Sequence, residues 1–143
     1  SVETIKLLDG IFDIYMPDFK YGNNEAAKKL SAAHDYVETA KEAVKEMHRQ
    51  VGDLVIDKRG IAQRGLLIRH LVLPDSLAGT REVMRFIATE ISKNTYVNIM
   101  DQYRPCYQAF DHPPMDRRIP AEEFEEAVRI AREEGLERLD GFV

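Results

Sequence analysis

Gly-Leu-Leu-Ile-Arg-His-Leu-Val-Leu-Pro, residues 65–74, is an almost continuous apolar run that stops at a proline. Such a run is typical of a parallel β-strand that is covered on both faces. Two polar residues, Arg69 and His70, interrupt it, and successive residues of a strand point to opposite faces. We expect His70 to face the core or a helix. Arg69 then belongs to a ligand site or to a structural ion pair, because a buried cation needs a partner.

The rest of the chain alternates between strand-like and helix-like hydrophobic periods. Further strands are predicted at 11–16, 54–56 and 96–100, and the residues 57–60, Asp-Lys-Arg-Gly, form a turn signal. Helices are predicted at 2–8, 24–31, 36–50, 80–91 and 120–134, and the tail 136–143 is expected to dock or pair. Alternation of this kind favours an α/β fold with a parallel sheet and helical crossovers.

The length of the chain, 143 residues, suits a single domain over residues 1–143. Three main strands leave a free sheet edge, which folded proteins usually cover or protect. The simplest architecture is therefore an incomplete (βα) barrel, with the other half supplied elsewhere. The chain starts at Ser1 rather than at a methionine, and we expect it to be a piece of a longer protein.

Composition and charge exclude several classes of function. The chain is 44% hydrophobic and 31% charged, as in globular proteins, and its net charge of -5 argues against a nucleic-acid or anionic-membrane surface. No apolar run approaches the ~20 residues of a membrane-spanning helix, and no signal peptide is visible. The single cysteine, Cys106, fits a reducing compartment. We therefore expect a cytoplasmic protein.

Polar residues follow the three predicted main strands, where ligands bind in parallel βα folds. These clusters are Asp18-Phe19-Lys20, Arg69-His70 and the segment 101–104, Asp-Gln-Tyr-Arg. Asp18 and Lys20 are two residues apart and point the same way in extended chain, so together they suit a zwitterionic ligand. Arg69 could hold a carboxylate with two hydrogen bonds. A solvated Asp18–Lys20 loop pair is an equally good interpretation.

The remaining histidines and the cysteine carry weaker signals. His34 and His48 lie near one helix face but roughly 20 Å apart, so they cannot share a metal ion, and a surface or boundary position is expected for each. His112 lies in a proline-rich loop, and Cys106 has no cysteine partner. The sequence contains no catalytic-triad, glycine-rich phosphate-loop or His-Glu-x-x-His motif.

Four stretches of the chain, in order, resemble the second half of radical S-adenosylmethionine proteins. They are Tyr-Met-Pro-Asp-Phe-Lys-Tyr (15–21), Glu-Met-His-Arg-Gln-Val-Gly (46–52), the run 65–74, and Tyr-Val-Asn-Ile-Met-Asp-Gln-Tyr-Arg-Pro (96–105). The group most similar to this chain is described as pyruvate formate-lyase activating enzyme-like. The resemblance implies a partial (βα)6 barrel, of which this chain would form the C-terminal half with strands four to six.

The resemblance also implies site residues. Asp18 and Lys20 match the D-x-K motif after strand four, which contacts S-adenosylmethionine, and Arg69 matches the basic residue of strand five near the methionine part of the ligand. At the end of strand six, where the family often has a histidine on the ligand, this chain has Gln102 and Tyr103, which are equal candidates.

The family's cluster-binding motif, C-x-x-x-C-x-x-C, does not occur in this chain. The resemblance implies S-adenosylmethionine and a 4Fe-4S cluster in the intact enzyme, a target protein such as a glycyl radical enzyme, and a reductant such as flavodoxin or ferredoxin. Three thiolates are needed to hold a cluster with one iron open, so Cys106 cannot hold it alone. We expect no cofactor on this chain by itself and no catalytic residue in this half.

Two other functions also remain open. One is a different βα-barrel enzyme that uses Lys20 as a Schiff-base lysine, since a lysine at a strand end suits that chemistry. The other is a non-catalytic module that associates through the free edge of the half-barrel. An exposed edge invites pairing, so a dimer is expected.

Overall fold

The computed structural model describes residues 1–20, 22, 36–74, 78–101 and 118–140. The elements, in chain order, are α1 (Val2–Leu7), β1 (Ile14–Tyr15), α2 (Tyr36–Val51), β2 (Val55–Ile56), β3 (Ala62–Leu71), α3 (Thr80–Phe86, continued by a π-helical turn, Ile87–Ile91), β4 (Tyr96–Met100) and α4 (Ala121–Glu133). The predicted helix at 24–31 lies outside the described residues, as do residues 102–117.

The sheet is built around β3, which pairs with all three other strands. β1 and β4 run parallel to it, with Ile14 opposite Gly65 and with Leu67 to Leu71 opposite Tyr96 to Met100. β2 pairs antiparallel with the start of β3 through the turn at 57–60. The protein is therefore α/β, as expected, and its main strands are parallel. Its described strands form an open, four-stranded mixed sheet rather than a closed barrel.

One face of this sheet packs against the helices and forms the core. Leu66, Ile68 and His70 of β3 are fully buried on this face, and Val97 of β4 is buried beside them. The tail after α4 joins the same core, because Leu136 and Leu139 are buried and the Val97 N–H donates to the Arg138 carbonyl (2.9 Å). The expectation that the tail 136–143 docks or pairs is confirmed for its described part, residues 136–140.

The opposite face of the sheet is not covered by the described residues. Alternation along the strands places eight side chains there, which together we call the open face. These are Met16, Asp18, Leu67, Arg69, Leu71, Tyr96, Asn98 and Met100, all half-buried or exposed. The described residues therefore cover the run 65–74 on one face only, and coverage of the other face stays a prediction.

The prediction of a buried strand over 11–16 is wrong. Only Ile14 and Tyr15 pair with β3, and Ile11, Phe12 and Met16 are 64%, 50% and 58% exposed. β1 is an edge strand, and Met16 lies on the open face. Two of the four aromatic or β-branched residues of the run, Ile11 and Phe12, are exposed.

Gly65 lets the chain before β2 cross close to β3. Its φ is +115°, and a Cβ added there would lie 2.4 Å from the Asp53 carbonyl oxygen and 2.4 Å from the Leu54 Cα. Both the backbone conformation and the space therefore require glycine. The start of the run 65–74 is fixed by this crossing rather than by hydrophobicity.

The motif at 46–52 has a structural role in the described chain. Arg49 holds the Glu46 carboxylate through both oxygens and reaches Asp9 after α1 (2.8 Å), while Gln50 donates to Glu46 (2.8 Å) and accepts from the Tyr15 hydroxyl (2.6 Å). Hydrogen bonds from Arg49 and Gln50 lower the pKa of Glu46 to about 2. This network ties α2 to β1 and to the end of α1.

Candidate functional site

Asp18 and Arg69 lie side by side at the carboxyl ends of β1 and β3. The Arg69 N–H donates to the Pro17 carbonyl (2.9 Å), and the Phe19 N–H donates to the Arg69 carbonyl (2.8 Å). The chain after β1 therefore continues alongside β3, and Asp18 pairs with Arg69 in a parallel bridge. The structure brings together two of the predicted site residues at the strand ends where parallel βα folds bind ligands.

The Asp18–Arg69 ion pair is loose. Arg69 Nε lies 3.5 Å from Asp18 Oδ1. The Asp18 side chain is 44% exposed and the Arg69 side chain is 41% exposed. Exposed pairs of this kind stabilise a fold by only about 0–1 kcal/mol. Arg69 Nη2 also approaches Met100 Sδ at 3.7 Å, which is a weak acceptor. A guanidinium carries five N–H donors, so this arrangement leaves capacity to bind an anion.

Lys20 lies two residues beyond Asp18 and is exposed, whereas Phe19 between them is buried. The Phe19 ring packs against Phe86 of α3, with ring centroids 5.4 Å apart. This alternation agrees with the expectation that Asp18 and Lys20 point the same way, and it anchors the segment to the core. Arg69, predicted as a candidate buried cation, is instead half-exposed and faces Asp18.

His70 supports the site from behind. It is fully buried, with Nδ1 2.8 Å from the Phe19 carbonyl oxygen and Nε2 3.0 Å from the Thr80 hydroxyl oxygen. Burial lowers the pKa of His70, so its neutral form is favoured. A carbonyl can only accept, so Nδ1–H donates to Phe19 and Nε2 accepts from Thr80.

The expectation that His70 faces the core or a helix is confirmed, and its partners give it a further role. The imidazole links the start of α3 to the peptide between Asp18 and Lys20. It thereby positions both candidate ligand-binding residues without lying on their face of the sheet.

A third polar residue, Asn98, lies in the same cross-strand row as Asp18 and Arg69. Asn98 of β4 is the cross-strand partner of Arg69, as Asp18 is on the other side. The rows on either side are apolar or aromatic, with Leu67 opposite Tyr96 and Leu71 opposite Met100. Sequence reasoning missed Asn98. The available signal was a single polar residue within the otherwise apolar strand at 96–100. Only the register between the strands shows that this residue lies beside Arg69.

Several candidates predicted from the sequence lie outside the described residues: Gln102, Tyr103, Cys106, His34 and His112. Within the described ranges, no group of three or more histidine, cysteine, aspartate or glutamate side chains is arranged to hold a metal ion. No helix in those same ranges is both long and apolar enough to cross a membrane.

His48 occupies the boundary position that the sequence predicted. It lies near the end of α2, is 27% exposed at its side chain, and its Nε2 is 2.8 Å from Asp53 Oδ1. Asp53 precedes β2 and approaches Gly65 at the amino-terminal half of β3. His48 therefore belongs to the end of the sheet opposite to Asp18 and Arg69.

A cavity of about 280 Å³ opens on the helical side of the sheet rather than on the open face. It is lined by Val72, Leu73, Thr80, Glu123, Glu126, Ala127 and Ile130. Among the described residues, two carboxylates and no basic side chain line it, and these favour neither an anion nor a zwitterion. The open face, by contrast, carries charges of both signs, from Asp18 and Arg69.

The chain is 36% identical over 138 residues to an uncharacterized protein of Methanocaldococcus jannaschii. The match covers 96% of this chain but 36% of that protein, so the chain spans about a third of the length of this relative. No protein-family model matches the chain. No solved structure matches it either.

Proposed function

We propose that this chain is part of a radical S-adenosylmethionine enzyme that resembles pyruvate formate-lyase activating enzyme and generates a radical on a partner protein. The observation that carries the proposal is the Asp18–Arg69 pair on the open face, at the carboxyl ends of two parallel strands. These two residues match the family's motifs after strand four and on strand five. Their adjacency in space supports an interpretation that rests otherwise on sequence.

The chemistry of the pair fits the methionine end of S-adenosylmethionine. An α-amino acid group carries an ammonium and a carboxylate, for which Asp18 and Arg69 are complementary partners. Because their own ion pair is long and half-exposed, a ligand can replace it at little cost. Lys20, exposed on the same side as Asp18, adds a cation at the rim.

A 4Fe-4S cluster does not fit this chain by itself. The sequence contains one cysteine, and three thiolates are needed to hold such a cluster with an open iron. When bound elsewhere in the intact enzyme, the cluster would supply the electron that cleaves the ligand reductively. The role proposed for this chain is to bind and orient S-adenosylmethionine, with Asp18, Lys20, Arg69 and one of Gln102 and Tyr103 as the contacting residues.

The shape of the chain supports a partial (βα) barrel that is completed by other sequence. In the part of the chain that the structure describes, the sheet has an edge at β1 and an uncovered face, both of which a preceding set of βα units would cover. Since the chain spans 36% of its relative, a protein of that length would have room for them. In this proposal the enzyme is cytoplasmic, takes its electron from flavodoxin or ferredoxin, and activates a protein such as a glycyl radical enzyme.

The proposal is tested first by the coding sequence upstream of Ser1, which should contain C-x-x-x-C-x-x-C. The full-length protein, reconstituted with iron and sulfide without oxygen, should show the absorption of a 4Fe-4S cluster. On reduction it should convert S-adenosylmethionine to 5′-deoxyadenosine and methionine. An upstream sequence without the three cysteines, or a reduced cluster that leaves the ligand intact, would overturn it.

The alternative function, Schiff-base chemistry at Lys20, receives less support from the geometry. Schiff-base lysines are activated by an apolar pocket or by a neighbouring cation. Lys20 is exposed, so water reaches its amine. Borohydride treatment in the presence of a carbonyl substrate would leave an adduct on Lys20 if this alternative were correct.

A further inference from the structure

The open face carries a polar row in which Asn98 has no assigned role. Within the residues that the structure describes, the Asn98 side chain makes no hydrogen bond, although it is half-buried. The amide atoms are not fully buried, so they stay in contact with water and can be reached by a ligand. His70, the polar residue of β3 on the other face, has both ring nitrogens bonded. The amide therefore keeps its hydrogen-bonding capacity for a group other than the described residues.

The position of Asn98 in the row indicates which ligand group it meets. Asp18, Arg69 and Asn98 follow one another across β1, β3 and β4, and neighbouring strands lie about 4.8 Å apart. The row therefore spans about 10 Å, with the anion at one end, the cation in the middle and the amide at the far end. A ligand ammonium belongs beside Asp18. The carboxylate of the same ligand then lies over Arg69, within reach of the amide N–H groups of Asn98.

We infer that Asn98 is a binding residue for the carboxylate of an α-amino acid ligand, which it holds together with Arg69. The inference rests on the proposed function, in which this ligand group is the methionine end of S-adenosylmethionine. Arg69 supplies the charge, and Asn98 supplies neutral donors on the side away from Asp18. The neighbouring rows, Leu67 with Tyr96 and Leu71 with Met100, lie on either side of this row and offer no charged group to the ligand.

The inference is tested by calorimetric titration of the full-length protein without its cluster, using two probes. S-Adenosylhomocysteine has the amino acid part, whereas 5′-methylthioadenosine keeps the adenosine and the sulfur but lacks it. The substitution Asn98→Leu removes the amide and keeps a similar volume. It should weaken S-adenosylhomocysteine binding by about tenfold or more, since one hydrogen bond to a charged group is lost. Its effect on 5′-methylthioadenosine should be less than about twofold, because that probe has no carboxylate to lose.

A second variant tests the sign of the contact. Asn98→Asp places a carboxylate beside Arg69, where it pairs with the guanidinium and repels the carboxylate of the ligand. It should weaken S-adenosylhomocysteine more than Asn98→Leu does. Tyr96→Phe is the matched control, because Tyr96 is on the same strand and face but its hydroxyl bonds Asp140 (3.0 Å) outside the row. That control should bind both probes as the wild type does, and thermal unfolding shows whether each variant is folded.

Different outcomes would overturn the role of Asn98 and the proposed function. If the wild type binds neither probe, and shows no affinity for S-adenosylmethionine with its cluster in place, both fail. If the wild type binds S-adenosylhomocysteine and both Asn98 variants match its affinity, the role of Asn98 fails and the proposed function stands. If Asn98→Leu weakens the two probes equally, Asn98 does not contact the carboxylate, and the inference is overturned.

Discussion

The two faces of β3 have nearly the same apolar content but opposite surroundings. On the helix face, Leu66 and Ile68 are fully buried, and the buried polar side chain, His70, has both ring nitrogens bonded within the protein. On the open face, Leu67 is half-buried and Arg69 holds a long, exposed ion pair. Polarity on the helix face therefore builds the fold, whereas polarity on the open face is available to a ligand.

The largest expected effect compares two adjacent leucines. Leu66→Ala should cost about 2–5 kcal/mol in the free energy of unfolding, because it leaves a cavity in the packed core. Leu67→Ala, on the open face, should cost about 1 kcal/mol, since its side chain is only half-buried. Urea denaturation of the two variants of this chain measures both. Equal losses would show that the open face is covered in solution, for example by a second copy of the chain.

The next effect concerns the buried histidine. His70→Leu leaves the Phe19 carbonyl and the Thr80 hydroxyl without their partner, which should cost about 2 kcal/mol or more, at about 1–3 kcal/mol for each buried group. His48→Leu is the matched control, because His48 is partly exposed and has water available to its partner. A similar loss for both variants would contradict the role given to His70.

The pH dependence of stability should report the same histidine. Burial lowers the pKa of His70 in the folded state below the ordinary 6.5, so its contribution is fully present above pH 6.5 and is lost as the pH falls below it. The pKa of Glu46 is lowered from 4.5 to about 2, so its contribution is lost between about pH 4.5 and pH 2.

Denaturation at a series of pH values should therefore show two steps in the wild type. In His70→Leu the step that begins near pH 6.5 should disappear, and the step below pH 4.5 should remain. A wild-type profile that is flat from about pH 7 to about pH 5 would contradict the buried, neutral state of His70.

The smallest effect on stability is expected at the site itself. Asp18→Asn and Arg69→Met should each change the free energy of unfolding by about 1 kcal/mol or less, and a double-mutant cycle should give a coupling of about 0–1 kcal/mol. A coupling above about 2 kcal/mol would show that the pair is a structural ion pair rather than a ligand site held ready. A structural ion pair is the alternative that the sequence leaves open for Arg69.

Much of the fold could be predicted from the sequence because the spacing of apolar residues along the chain determines the helices and strands. The helical spacing of α2, the apolar alternation in β4 and the opposite directions of Arg69 and His70 all follow from residues that are close in the chain. The burial of β1 could not be predicted in the same way. An edge strand and a core strand have similar compositions, and only the rest of the sheet decides which side chains are covered.

The candidate site was predictable in part for the same reason. Asp18 is recognisable because it follows a predicted strand, and Arg69 because it interrupts an apolar one. Neighbouring parallel strands bring their carboxyl ends to the same edge of the sheet. Asn98 was not recognisable, since its alignment with Arg69 depends on the register between two strands that are far apart in the chain. In the sequence Gly65 is likewise only the first residue of an apolar run. A glycine is required at this position because the backbone of Asp53 and Leu54 lies against it.

Binding of the amino acid end of S-adenosylmethionine by the open face can be measured directly in one titration. Calorimetry of the full-length protein with S-adenosylmethionine compares the wild type, Arg69→Met, and Arg64→Met as a control at the exposed start of the same strand. We predict that Arg69→Met binds about tenfold more weakly or worse, as expected for the loss of a charged hydrogen-bonding partner, while Arg64→Met matches the wild type. Equal affinity of all three proteins, or no binding by the wild type, would contradict a ligand site on this face.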